Sequence, residues 1–247
     1  MKKTNKLLVL MAVSSLLGTQ GAQATSAFTP TSTVTITINS ITNTTNAGNH
    51  SDLDIYGLFE IADGISAPGF GQVETGLANS SYNYTGGEID SSIAPINSGD
   101  SFSQSFSSNG IAINGNVDAY YQAFGGLEFV NNSSDSFTIE YSMSYDLNAV
   151  VTGDFATNTV ALEYFNDLGD IDGYEETVAS TLLDLTQQNL STEFFTLNLS
   201  GFVSDMFYAD VSIYGYAEAV APVPIPAAGW LMLSGLVFLR NFRKSAA

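Results

Sequence analysis

The chain has 247 residues, 45% of them hydrophobic, no cysteine and a formal net charge of −19. All six Lys and Arg lie at the two ends and all 25 Asp and Glu lie between Asp52 and Glu218, so the long middle segment carries a formal charge of about −25. This balance excludes nucleic acid and anionic lipid as natural partners, because Lys and Arg make most phosphate contacts. The absence of cysteine excludes disulfides and thiolate chemistry.

The first 24 residues have the features of a secretory signal peptide. A cationic start, an apolar run and an A-x-A cleavage site follow one another: Lys2, Lys3, Lys6, residues 7–17 and Ala22-Gln23-Ala24. We therefore expect a signal helix over residues 1–24, cleavage after Ala24 and export of the rest of the chain. An uncleaved anchor helix is the alternative interpretation.

Residues 25–221 have the pattern of β-strands. Apolar and polar residues alternate at period two, which is typical of a strand with one buried face. The clearest alternating segments are 33–38, 101–107, 137–147, 160–164, 195–200 and 210–218. Eight to ten strands without a repeated strand-helix unit predict an all-β, antiparallel β-sandwich, jelly-roll-like or immunoglobulin-like.

Local signals between these segments predict turns and one helix. Gly125-Gly126 separates residues 117–124 from 127–130 in the manner of a hairpin turn. Residues 61–100 are rich in Gly, Pro, Ser and Asn, which predicts only short strands there. We expect a loop over residues 41–50 and a short helix within residues 178–190.

Few catalytic constellations are available. His50 is the single histidine and lies in an Asn/Ser/Asp segment, so we interpret it as a solvated loop residue. No G-x-S-x-G elbow is present. A carboxylate pair of the kind used in glycoside hydrolysis is the catalytic class that remains. We expect that the protein is not an enzyme, with a carboxylate-dependent glycosidase as an alternative.

Residues 167–176 form the most acidic local segment. The candidate ligands for a hard cation such as Ca²⁺ are Asp167, Asp170, Asp172 and Glu175. The spacing fails the EF-hand template, because Leu168 and Ala179 fall where the first and last acidic ligands belong. We prefer a solvated turn at Asp172-Gly173 and no cofactor, and keep Ca²⁺ binding as the alternative.

Several tyrosines are candidates for a glycan-binding platform. They are Tyr120, Tyr121, Tyr208, Tyr214 and Tyr216. Rings on a solvent-facing strand surface can stack on sugars, although tyrosine is also an ordinary strand residue.

The C-terminal 26 residues combine a proline motif, an apolar run and a basic tail. The motif is Val223, Pro224, Ile225, Pro226 and Ala227, and the basic stop-transfer cluster is Arg240, Arg243 and Lys244. A helix from Pro226 to Leu239 spans about 20 Å, less than the roughly 30 Å of a hydrocarbon core. We therefore expect a short, transient anchor in the inner membrane, with the acidic domain on the far side. An ordinary single-pass anchor is the alternative.

This tail resembles the PEP-CTERM class of bacterial sorting signals, and residues 223–227 resemble its VPLPA variant with Ile in place of Leu. The resemblance implies processing by an exosortase in a Gram-negative bacterium and association with exopolysaccharide and biofilm. We accordingly expect an exported surface or matrix protein, structural or adhesive in an exopolysaccharide layer. A Ca²⁺- or glycan-binding module is a second hypothesis.

Overall fold

The computed structural model describes residues 25–62, 72–91, 96–185 and 187–220. The proposed signal peptide with Ala22 and Ala24, the sorting motif at residues 223–227 and the basic cluster at residues 240–244 lie outside the described residues. Residues Thr25–Val220 form one compact unit. The described part contains twelve strands: β1 Ser26–Phe28, β2 Thr31–Asn43, β3 Leu53–Ala62, β4 Gln72–Thr85, β5 Ile89–Asp90, β6 Ser101–Asn131, β7 Phe137–Ala149, β8 Val151–Gly153, β9 Phe155–Asn166, β10 Asp172–Ser180, β11 Gln187–Leu199 and β12 Ser204–Ala219.

All pairings among these strands are antiparallel, and β6 connects them into one sheet. The main path runs β10-β9-β12-β6-β2-β7-β11. The first residues of β6 pair with β2, and residues 115–130 pair with β12. The opposite edge of β6 pairs with β4 and then with β3. The 31-residue β6 therefore belongs to both halves of the sheet.

The two halves of the sheet face each other across an aromatic core. Tyr141 of β7 is fully buried, and its ring centre lies 5.3 Å from that of Phe207 of β12 and 5.6 Å from that of Phe129 of β6. Phe195 of β11 meets Tyr164 of β9 at 5.8 Å. These contacts join strands from opposite ends of the sheet order, so the all-β, antiparallel sandwich-like fold expected from the sequence is confirmed.

The period-two segments place their apolar residues in this core as expected. Val34, Ile36 and Ile38 of β2 are fully buried, and the same holds for Val211 and Ile213 of β12. In β7 every residue of the apolar series 137–147 is buried. Burial of one such side chain contributes about 1.5–3 kcal/mol, so the alternation fixes which face of each strand lies inside.

The hairpin predicted at Gly125-Gly126 is wrong, because β6 continues through both residues. A Cβ atom on Gly125 would lie 2.6 Å from Cδ1 of Phe59, and one on Gly126 would lie 2.6 Å from Cε of Met206. These glycines make room for side chains of the neighbouring strands. Close approach of a neighbour, and not chain reversal, is the reason for glycine here.

The helix predicted within residues 178–190 is also wrong. β10 continues to Ser180, a turn follows, and β11 begins at Gln187. Leu182 and Leu183 are 69% and 71% exposed in that turn. Pairing of β10 with β9 and of β11 with β7 satisfies the backbone on both sides, and such pairing outweighs weak local helix propensity.

Two further boundaries differ from the expectation. β4 is a strand of 14 residues in a region where only short strands were expected, and β2 extends to Asn43, inside the expected loop 41–50. Both segments pair with long neighbours, β6 and β7. Tertiary pairing therefore overrides the turn-like composition of these residues.

Candidate functional site: a tyrosine and carboxylate face

The outward surface of β10, β9, β12 and the second half of β6 concentrates aromatic and acidic side chains. In β12, Ala209 and Val211 are fully buried, so the alternate residues Tyr208 and Asp210 point outward. We call this surface the tyrosine face; its members are Tyr120, Tyr174, Tyr208, Tyr214, Tyr216, Phe155, Phe165, Asp118, Glu163, Asp210 and Glu218.

Aromatic rings pair across the strands of this face. Phe165 and Tyr208 are partners in the β9–β12 register, and their rings stack at 4.6 Å with an angle of 20° between planes. Phe155 meets Tyr216 edge to face at 5.5 Å. Tyr214 is the register partner of Tyr120. Paired rings lose little further freedom on binding, so they form a prearranged stacking surface.

A pair of carboxylates lies beside the stacked rings. Asp210 and Glu163 are direct register partners, which places their Cβ atoms about 4.5–5.5 Å apart. Burial raises the pKa of Asp210 to about 6; the Gly125 N–H, which donates to its Oδ1 at 3.3 Å, opposes this shift, and Glu163 adds to it. Asp210 therefore keeps its proton to a higher pH than an ordinary aspartate does.

Carboxylates also hold the tyrosine hydroxyls of this face. Tyr174 donates to Glu176 Oε2 at 2.6 Å, and this hydrogen bond is the main reason that the pKa of Tyr174 rises to about 12. Tyr216 donates to Glu218 Oε2 at 2.9 Å, and burial together with this bond raises its pKa. These hydrogen bonds orient the two rings, and the tyrosine hydroxyls stay protonated at neutral pH.

Four of the five tyrosines singled out from the sequence share this face. Tyr121 does not: it points inward, is 8% exposed, and its hydroxyl donates to Ser80 Oγ at 3.2 Å. Strict alternation along β6 separates it from Tyr120 and could have excluded it beforehand. No local pattern in the sequence points to Phe165, Glu163 and Asp210, because their proximity depends on the β9–β12 register.

The four acidic residues predicted as candidate Ca²⁺ ligands lie in different surroundings. Asp170 accepts from Asn166 Nδ2 at 2.6 Å, Glu175 accepts from Asn189 Nδ2 at 2.8 Å, and Asp172 is exposed at the start of β10. Asp167 interacts with the Tyr208 side chain. Within the described residues no group of three acidic or histidine side chains is placed to hold a metal ion.

The turn expected at Asp172-Gly173 lies earlier, at residues 167–171, and both residues belong to β10. Asn166 organises this turn by accepting hydrogen bonds from the backbone N–H groups of Asp170 and Ile171. Gly169 supplies the positive φ of 75° that the turn requires. A Cβ on Gly173 would lie 2.1 Å from Cζ of Tyr164, so close packing explains that glycine.

His50 is exposed in the loop between β2 and β3, where its carbonyl oxygen accepts from the Leu53 N–H. Across the described ranges there is no helix of the length and apolarity that crossing a bilayer requires.

Comparisons with known proteins give no family. No protein-family description matches the chain, and no curated protein matches it. Among solved structures, the secreted serine protease VesC from Vibrio cholerae is 10% identical with a TM-score of 0.14, over 81% of this chain and 48% of that protein. The secretin XcpQ from Pseudomonas aeruginosa is 11% identical with a TM-score of 0.11, over 94% of this chain and 67% of that one. The chain thus spans about half the length of the first of these proteins.

Proposed function

We propose that the protein is an exported component of the cell surface or extracellular matrix whose tyrosine face binds polysaccharide. The observation that carries this proposal is the stacked Phe165–Tyr208 pair beside the carboxylates of Asp210 and Glu163. Aromatic rings stack on the C–H faces of sugars, and carboxylates accept hydrogen bonds from hydroxyl and ammonium groups. The face therefore combines both elements of glycan recognition.

Charge selects the class of polysaccharide. The segment between the basic ends contains 25 acidic residues and no Lys or Arg, so a uronate or sulfated polymer is repelled. A polymer with free amino sugars is attracted, because each ammonium group can pair with a carboxylate such as Asp210, Glu163 or Glu218. We infer that amine-bearing polysaccharide is the preferred partner of the tyrosine face.

Binding can be tested with chitosan oligosaccharides, using the fully N-acetylated oligosaccharides as the uncharged comparison. Tyr208→Ala removes one ring of the stacked pair and should weaken chitosan binding by about tenfold, the value of 1.4 kcal/mol. Phe202→Ala removes an exposed aromatic ring in the β11–β12 turn and should leave binding unchanged. Equal binding by wild type and Tyr208→Ala in calorimetry would remove the tyrosine face from the proposal.

Export and sorting form the other half of the proposal. Their support is the signal-like residues 1–24 and the resemblance of residues 223–227 and the basic tail to exosortase-processed proteins. Under this proposal the chain is anchored in the inner membrane only until an exosortase processes its tail. The processed product then lies in the exopolysaccharide layer. Intact mass of the protein from culture medium tests this: the product should begin at Thr25 and lack Arg240, Arg243 and Lys244.

The Asp210–Glu163 pair favours a glycosidase as the second candidate function. Retaining glycosidases place two carboxyl groups about 5–5.5 Å apart, one with a raised pKa that serves as the acid. Asp210 has such a pKa, at about 6. Release of reducing ends from a polysaccharide, abolished by both Asp210→Asn and Glu163→Gln, would establish the enzyme; binding without turnover supports the matrix protein.

A further inference from the structure

The opposite outward surface of the sandwich is lined by hydroxyl groups. It is formed by β11, β7, β2 and the first residues of β6, whose inward residues fill the core. We call it the hydroxyl face; its members are Thr33, Thr35, Thr37, Ser101, Ser103, Ser105, Ser142, Ser144 and Thr192, with Phe194 at the β11 edge. Its chemistry is unlike that of the tyrosine face, and the proposed function makes no use of it.

The register places these side chains in rows across four strands. One row is Phe194, Ser142, Thr37 and Ser101, and the next is Thr192, Ser144, Thr35 and Ser103. Ser142 is only 8% exposed and donates to Asn39 Oδ1 at 3.4 Å, so the hydroxyls that the first row presents are those of Thr37 and Ser101. Neighbouring strands are about 4.8 Å apart, so each row is about 14 Å long, and the two rows are about 7 Å apart along the strands. The members of these two rows include no ionisable side chain.

Hydrogen bonds between neighbouring hydroxyls hold the rows in place. Thr35 and Ser103 lie 2.9 Å apart, Thr37 and Ser101 lie 2.8 Å apart, and Ser144 lies 3.0 Å from Thr192. In each pair one proton is shared within the pair, so one O–H donor and several lone pairs still face outward. The rows therefore offer oriented donors and acceptors at a regular spacing.

Two acidic residues of β7 flank the rows, two positions from Ser142 and from Ser144, and both accept hydrogen bonds from neutral side chains. Glu140 accepts from Ser40 Oγ at 2.9 Å, and Asp146 accepts from Gln188 Nε2 at 2.8 Å. The rows thus form an uncharged strip on a domain with a formal charge of about −25. The two rows themselves contain no ionisable group that could pair with a cationic polymer, and the field of the domain repels an anionic one.

We propose that the hydroxyl face binds a single extended chain of a neutral polysaccharide that lies across the four strands. The strand spacing is close to the length of one pyranose unit, so successive sugars can meet the hydroxyls of successive strands. The Phe194 ring, 76% exposed at the end of one row, stacks on a terminal sugar of the bound stretch. Because a β-sheet twists by about 20–25° per strand, a flexible single chain fits the rows better than a rigid crystal surface.

Affinity electrophoresis in gels containing hydroxyethyl cellulose tests this site. The double variant Thr35→Val and Thr37→Val removes two hydroxyls and keeps β-branched side chains suited to a strand. We expect wild type to be retarded, this variant to lose about tenfold or more in affinity, and Phe194→Ala to lose about fivefold. Thr42→Val makes the same exchange on the same strand outside the two rows and should bind as wild type does.

The outcomes separate this site from the tyrosine face. Tyr208→Ala should leave retardation by hydroxyethyl cellulose unchanged, even though it weakens chitosan binding. The proposal is overturned if wild type is not retarded, if Thr42→Val loses as much affinity as the double variant, or if Tyr208→Ala abolishes retardation. Inhibition of ice recrystallisation without cellulose binding would assign the rows to ordered water and would also overturn it. Urea unfolding of each variant establishes that its fold is intact.

Discussion

Replacing Asp210 by Asn should stabilise the domain at neutral pH and reduce its dependence on pH. The folded-state pKa of Asp210 is about 6, raised chiefly by burial, against an ordinary value near 4. The folded chain therefore holds this proton more tightly than the unfolded chain does. Its contribution to stability is present below about pH 4 and is lost as pH rises through about 6.

The size of the effect follows from the shift. About two pKa units correspond to ~3 kcal/mol, and partial contact of the carboxyl with water reduces this to ~1–2 kcal/mol. Asn at position 210 keeps an acceptor for the Gly125 N–H and cannot ionise. In urea unfolding from about pH 4.5 to 7.5, the stability gain of Asp210→Asn should thus grow with pH and level off above about pH 7.

Removing any one negative charge from so acidic a domain also relieves repulsion, so a matched variant is needed. Asp172→Asn removes an exposed carboxyl at the start of β10 and reports this general effect. The pH-dependent gain of Asp210→Asn should exceed that of Asp172→Asn by ~1 kcal/mol or more. If the two variants follow parallel curves, Asp210 has no special environment and the argument from burial fails.

Gly125→Ala should lower the free energy of unfolding in urea by ~1–3 kcal/mol, because the new Cβ meets Phe59 in the core. Gly87→Ala is the control: Gly87 has open space around it, so the free energy of unfolding should change little. Tyr141→Phe should raise the free energy of unfolding by ~1 kcal/mol, because it removes a buried hydroxyl that has no hydrogen-bond partner among the described residues; a loss of stability would show that the hydroxyl is satisfied by water. Raising NaCl from about 0.01 to 0.15 M should raise the melting temperature, because the Debye length falls from about 30 to 8 Å and screens repulsion among carboxylates; a constant melting temperature would contradict this.

Local pattern predicted the strands whose faces differ most in polarity. In β7, Phe137 to Leu147 alternate so regularly that both the strand and its buried face followed from the sequence. The same signal failed at β6, where three expected strands are one strand of 31 residues. A glycine pair is typical of a turn when only the local sequence is considered. The contacts of Phe59 with Gly125 and of Met206 with Gly126 show that glycine is needed here for close packing.

The candidate site was predictable in part for a similar reason. Tyr208, Tyr214 and Tyr216 lie on one strand, so their common face follows from period two. Phe165 and Glu163 come from β9, more than 40 positions earlier, and join them only through the β9–β12 register. The register between distant strands is set by how the whole core packs. No local pattern in the sequence therefore predicts that register.

The distribution of acidic groups connects the fold to the two proposed surfaces. No Lys or Arg exists between the termini, so carboxylates in this domain are stabilised by neutral donors instead of ion pairs. The buried Asp205 accepts from Asn166 Nδ2 and the Leu168 N–H, and Glu218 accepts from the Tyr216 hydroxyl. Neutral donors orient a carboxylate without neutralising it, so its charge remains available to a ligand. The tyrosine face therefore retains an attraction for cationic groups, whereas the hydroxyl rows can discriminate only by shape and hydrogen bonding, which is why we assign the two faces to different polymers.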